Sequence, residues 1–170
     1  MRTIRNVRRC VMGFSHTMRL KARIAPGVTV EDIAEALHPI AEYNLYSVFD
    51  ALVSGERYVD DEFLFDPGTR ELSVATYGKV GYNYYDILEE VADRLGRIVS
   101  EPGEIWLYDH DTGDIENAKC VFVFGPSEEA IKAYLARRDI EAGLRLMEPH
   151  LAPETIAAIR RLVGTAIPTA

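Results

Sequence analysis

Phe63-Leu64-Phe65-Asp66-Pro67-Gly68-Thr69-Arg70-Glu71-Leu72 aligns without a gap on Trp106-Leu107-Tyr108-Asp109-His110-Asp111-Thr112-Gly113-Asp114-Ile115. Leu, Asp and Thr recur at matching places, both aromatic positions stay aromatic, and each copy closes on an acid followed by a branched aliphatic residue. An apolar run on either side of an Asp/Pro/Gly/Thr cluster reads as strand, turn, strand. A helical pattern follows each copy, so one strand-strand-helix unit is used twice. In the first copy, Asp66-Pro67-Gly68-Thr69 suits a type II turn, with Pro67 presetting its φ and Gly68 accepting a positive one. Gly113 falls two places later in its own copy, so the second turn is of another type.

Working outward, residues 16–24 alternate: Met18, Leu20, Ala22 and Ile24 share one side, and Thr17, Arg19, Lys21 and Arg23 share the other. That period of two marks a half-buried strand. Thr29 then opens a helix as its N-cap, with Asp32 three residues on completing a capping box and Ile33, Leu37 and Ile40 as the buried stripe. Pro39 is expected to kink that helix or end it early. Tyr46 to Val53 suggest a further short helix. Asn83 is expected to cap the next helix with Asp86 reaching back, Tyr82 and Ile87 forming a staple over Val91, Leu95 and Ile98. Ser127 caps a helix beyond the second hairpin, and Ile140–Met147 and Pro153–Val163 read as a helical pair.

Read in order, these elements predict an α+β fold: a two-layer sandwich with a ferredoxin-like antiparallel sheet of about five strands, repeated ββα units and extra C-terminal helices. Residues 1–170 are expected to form one domain, with a basic, loosely ordered segment over 1–14 and a C-terminal helical hairpin over 139–164. Such a scaffold hosts many unrelated activities, so function must be read from side chains.

The net charge of −8 conceals an asymmetry, since residues 1–30 hold no Asp or Glu but carry Arg2, Arg5, Arg8, Arg9, Arg19, Lys21 and Arg23. An acidic total excludes a general duplex-DNA coat, which needs many phosphate-neutralising cations. The arginine-rich start has the composition of a transit peptide without an apolar stretch of signal type. Cys10 and Cys120 lie far apart and outside any metal-ligand spacing, which points to reduced thiols in a cytoplasm. Fifteen arginines against four lysines suggest a GC-rich bacterial genome. No apolar run approaches the roughly 20 residues that span a bilayer, so no membrane contact is expected.

Three candidate surfaces follow. If Leu64, Ile105 and Leu107 point inward, then Phe63, Phe65, Trp106 and Tyr108 share the open sheet face with Arg19, Lys21 and Arg23. Cations beside flat rings suit single-stranded nucleic acid; the same face equally suits burial against another protein or a second subunit. Tyr77, Tyr82, Tyr84 and Tyr85 surround Gly78-Lys79-Val80-Gly81, where Lys79 at a helix start and several hydroxyls could hold a small anion. The segment Leu146–Leu162 resembles the turn of a helix-turn-helix in outline, with Arg160 and Arg161 facing phosphates, but Pro149 interrupts its first helix and a plain helical hairpin is expected.

Catalytic equipment is not legible. His16, His38, His110 and His150 are scattered, and the acid-rich run from Asp109 to Asp114 lacks the Glu of a calcium loop, having Cys120 at that place. No metal or cofactor is expected. The expectation is a non-enzymatic binding or regulatory protein acting through protein contacts and self-association as a homo-oligomer. Single-stranded nucleic-acid binding and a ligand or enzymatic site at the tyrosine-rich loop are the alternatives.

Overall fold

A computed structural model describes residues 14–44, 47–54, 61–81, 83–110 and 119–166. The elements run β1 (Phe14–Arg23), α1 (Val30–Asn44), α2 (Val48–Ser54), β2 (Glu62–Asp66), β3 (Glu71–Val80), α3 (Tyr84–Leu95), β4 (Gly103–Asp109), β5 (Lys119–Phe124), α4 (Glu128–Met147), a 3-10 turn (Glu148–His150) and α5 (Pro153–Ala166). The chain divides into two compact units, Met1–Pro126 and Ser127–Ala170.

In the first unit the five strands form one antiparallel sheet in the order β2-β3-β1-β4-β5. The opening strand is therefore its centre. Alternation along β1 sends Met18, Leu20, Ala22 and Ile24 into the core, where they meet Leu72 and Val74 of β3, Ile105 and Leu107 of β4, and Phe122 of β5. α1 and α3 pack together over this apolar side, α1 supplying Ile33, Leu37 and Ile40 and α3 supplying Tyr84, Leu88, Val91 and Leu95. The result is the two-layer α+β sandwich that the sequence pattern predicts. Gly103 lets two backbones approach, since a Cβ there would lie 2.8 Å from the Lys21 carbonyl and 2.6 Å from the Phe124 ring.

Several local expectations hold and others change. Thr29 and Asp32 form the capping box, with the Thr29 N–H donating to Asp32 Oδ2 at 2.8 Å and the Asp32 N–H donating to Thr29 Oγ1 at 3.2 Å. The Thr29 N–H and, after it, the Thr29 hydroxyl, which also donates to Asp32 Oδ2 at 3.0 Å, lower the pKa of Asp32. α1 runs through Pro39 to Asn44 and does not end early. Pro39 has no N–H for the Glu35 carbonyl, and Nη1 of Arg94 on α3 donates to that oxygen at 2.9 Å, replacing the missing partner. Asn83 sits at the start of α3 but makes no side-chain cap there, contrary to expectation; Tyr82, its expected staple, lies outside the described residues.

The turn between β2 and β3 also differs from the expected type II. Gly68 does not take the positive φ; Arg70 does, at 63°. Asp66 Oδ1 accepts from the N–H groups of Gly68 (2.8 Å) and Thr69 (3.3 Å), and the Arg70 N–H donates to the Asp66 carbonyl at 2.7 Å. The left-handed conformation disfavours a residue with a Cβ, and tertiary contacts hold it here. Arg70 Nη2 donates to the carbonyls of Ala25 and Val28, both at 2.8 Å, and the guanidinium lies 5.0 Å from the Phe65 ring centre. One side chain thus ties the β2–β3 turn to the β1–α1 connection.

In the second unit Ser127 caps α4 by accepting from the Ala130 N–H at 3.1 Å. α4 is a single helix of 20 residues, so the expected break before Ile140 is absent. Pro153 opens α5 as anticipated. Arg160 on α5 donates to Glu148 at 2.9 Å and to Glu141 at 3.3 Å, and these carboxylates raise its pKa. A phosphate-facing role for Arg160 would require breaking that pair of contacts.

Candidate functional site: the open face of the sheet

The strand pairing brings Arg19, Lys21, Arg23, Trp106 and Tyr108 onto one face. Arg19 stands in register with Trp106, Thr17 with Tyr108, and Lys21 with Glu104. The three cations are exposed and the two rings half-buried. The Arg19 guanidinium lies 5.4 Å from the centre of the Tyr108 ring, within cation–π range. Trp106 Nε1 donates to Glu104 Oε2 at 2.8 Å, which fixes the indole plane.

Register also reveals what the β1 pattern conceals. Lys21 faces Glu104 across β4, Arg23 faces Glu71 across β3, and Glu62 lies in the cross-strand row of Ala75 and Arg19. Three cations on the central strand thus have two glutamates on its neighbours, Glu71 on β3 and Glu104 on β4, and a third, Glu62, one strand further out on β2. The face alternates in sign between strands; it is not a basic strip.

Phe63 and Phe65 do not belong to this face. Phe63 is 1% exposed and pairs with buried Val74, Phe65 packs partly against the same core, and Leu64 points outward at 42% exposure. The short helix α2 packs on β2, and Phe63 shares the buried cluster with Val48 and Ala51 of that helix. A bulky ring fills the space beneath this edge strand, which reverses the expected phase.

The tyrosine-rich segment is split by the sheet. Tyr77, 50% exposed, lies on the open face, its ring 5.6 Å from His110 and roughly edge-on. His110 Nε2 is hydrogen-bonded to Thr17 Oγ1 at 2.8 Å, so Thr17, Tyr77, Tyr108 and His110 form one end of the open face. Tyr84 is buried on the opposite side, its hydroxyl 3.3 Å from Thr76 Oγ1 and its ring 4.8 Å from His16. Tyr85 packs partly against the core. Tyr77 and Tyr84 therefore do not converge on one ligand. Tyr82 and the Lys79 side chain lie outside the described residues, as do the arginine-rich segment before residue 14 and the acidic tip Asp111–Asp114.

Sequence reading missed His16 as a core residue, although its place in the β1 alternation with Met18 and Leu20 carries that signal. It also missed Thr17 and His110, which meet only after β1 and β4 are paired. Among the described residues no group of His, Cys, Asp and Glu could hold a metal ion. A groove of about 490 Å³ between α1 and α3 is lined by Asp32, Glu35, Glu90, Asp93, Arg94 and Arg97. Its central arginine, Arg94, is bonded to the Glu35 carbonyl and Glu90. No described helix is long and apolar enough to cross a membrane.

Compared with known proteins, the chain matches no protein family, no curated protein and no solved structure.

Proposed function

We propose that the chain is a non-enzymatic binding protein whose open sheet face engages a second copy of itself. The observation that carries this reading is the sign alternation across β3, β1 and β4, with Trp106, Tyr108 and Tyr77 set among the charges. A face that carries both signs in neighbouring columns can complement its own copy, and rings with one polar edge suit an interface that is wet in the unbound chain. Single-stranded nucleic acid would gain from the ring of Tyr108 beside Arg19, but Glu62, Glu71 and Glu104 oppose the approach of a polyanion. A reducing cytoplasm fits a sequence whose two cysteines, 110 residues apart, lie outside any metal-ligand spacing.

Sedimentation of the purified chain across protein concentrations tests this. The expected result is a concentration-dependent dimer, weakened at least tenfold by Trp106→Ala. A monomer up to about 100 µM, a concentration at which even a weak specific dimer with Kd near 10 µM populates, would overturn it. So would salt-sensitive binding of an oligonucleotide that depends on Trp106, which would transfer the face to nucleic acid.

A further inference from the structure

We infer that the second copy is related by a two-fold axis running along the strand direction between β1 and β4, so that β1 of each copy lies over β4 of the other. This rests on the self-association proposed above and specifies its geometry. For two sheets packed face to face, a two-fold axis lies in the plane between them, and two directions within that plane are simple. An axis along the strands between β1 and β4 exchanges those two strands and keeps every residue at its own height. Each pair registered across β1 and β4 within a copy then becomes a pair between copies. Lys21 comes to lie over Glu104 of the second copy, and Arg19 over its Trp106, because those are the residues in register across β1 and β4.

An axis across the strands through Lys21 does the opposite. It lays β1 on β1 with the heights inverted, stacking Lys21 on Lys21 and Arg19 on Arg23. All three exposed cations of each copy then meet cations, an arrangement that like-charge repulsion disfavours more strongly as water leaves the interface. The side-chain geometry favours the first axis independently. Trp106 is held by its bond to Glu104, which leaves the indole face available to a guanidinium. Arg19, already beside the Tyr108 ring, would sit between that ring and Trp106 of the second copy. Twisted sheets cross at about 30° when packed in this aligned way, so the axis follows the strands only to within that angle.

Charge exchange tests the geometry. Lys21→Glu and Glu104→Lys should each weaken self-association at least tenfold, since each places like charges over one another twice per dimer. An equimolar mixture of the two variants should form a heterodimer of near wild-type affinity, read by native mass spectrometry, because both contacts are again of opposite sign. Lys21→Glu mixed with wild-type chain should gain nothing, one contact attracting and the other repelling. If wild type dimerises but the mixture pairs no more tightly than either variant alone, the axis is wrong and self-association stands; a monomeric wild type removes both. Should Glu104→Lys fail to fold, oxidative cross-linking in a Cys10→Ser, Cys120→Ser background reads the same axis. Lys21→Cys chains should then cross-link to Glu104→Cys chains and not to one another, and cross-linking between Lys21→Cys chains alone would overturn the assignment.

Discussion

In the hairpin β2–β3, Phe63 lies in the core opposite Val74 and Leu64 faces out, whereas in β4–β5 the aligned residues do the reverse, with Trp106 on the open face and Leu107 in the core. The two hairpins thus share a pattern of residues and not a pattern of burial. Their connections differ too. β2 and β3 are joined by the four residues Pro67–Arg70, with Asp66 paired to Glu71 immediately before and after. Trp106 pairs with Cys120 and Ile105 with Phe122, so Val121 is an extra residue in β5 and a bulge shifts the register there. A strand's phase is set by what covers it. α2 covers the core side of β2, and a phenyl ring fills that space better than Leu64 would.

The sharpest way to break this comparison is to truncate the two aligned aromatics. Phe63→Ala should cost about 3–5 kcal/mol of stability, as removal of a buried phenyl ring does. Trp106→Ala, on the half-buried face, should cost about 1 kcal/mol or less in the folding of the isolated chain, while weakening self-association. Urea unfolding of both variants at a concentration where the wild type is monomeric gives the two values. Equal costs would mean that the two positions share one environment after all.

How far the sequence could be read follows the same contrast. β1 is apolar on one parity and cationic on the other, so its phase, its buried side and the positions of Arg19, Lys21 and Arg23 were all legible. Phe63-Leu64-Phe65 is apolar on both parities, and no local pattern can choose between them. Capping was legible at Thr29 and Ser127 and misread at Asn83, which makes no side-chain cap on α3. The turn conformation at Arg70 was not legible, because carbonyls more than 40 residues away in the chain hold it. The candidate face was half legible for a related reason. Its cations are consecutive outward residues of one strand, but Glu62, Glu71 and Glu104 answer them only through strand pairing, and Tyr77 and His110 join it from β3 and the end of β4.

Arg70 offers a finer test of why the first hairpin turns as it does. Arg70→Ala removes two hydrogen bonds to the Ala25 and Val28 carbonyls and keeps a Cβ in the left-handed region, so a loss of about 2–3 kcal/mol is expected. Arg70→Gly removes the same bonds but also the conformational penalty, and should be more stable than the alanine variant by about 1 kcal/mol. Denaturant midpoints of the two variants decide the matter. An alanine variant as stable as glycine would show that the positive φ is not what the turn demands.

The smallest effect comes from acid, at the tip of the first hairpin. The Gly68 N–H, followed by the hydroxyl and N–H of Thr69, stabilises the ionised Asp66 and lowers its pKa in the folded chain. A carboxyl whose folded pKa lies below its unfolded value, about 3.9 for Asp, contributes stability that is fully present above the unfolded value. That contribution fades as pH falls through the folded one. Asp32 behaves alike through Thr29, so both acids act in the same window. Asp66→Asn keeps an acceptor for the turn and removes the titration. It should therefore lower stability slightly at pH 7 and narrow the difference from wild type between pH 4 and pH 2, a range where Asp titrates. Because the side chain is exposed, the change is expected to be smaller than that of either Arg70 variant. A variant whose deficit at pH 7 persists undiminished at pH 2 would show that Asp66 holds the turn by its shape alone, its charge contributing nothing.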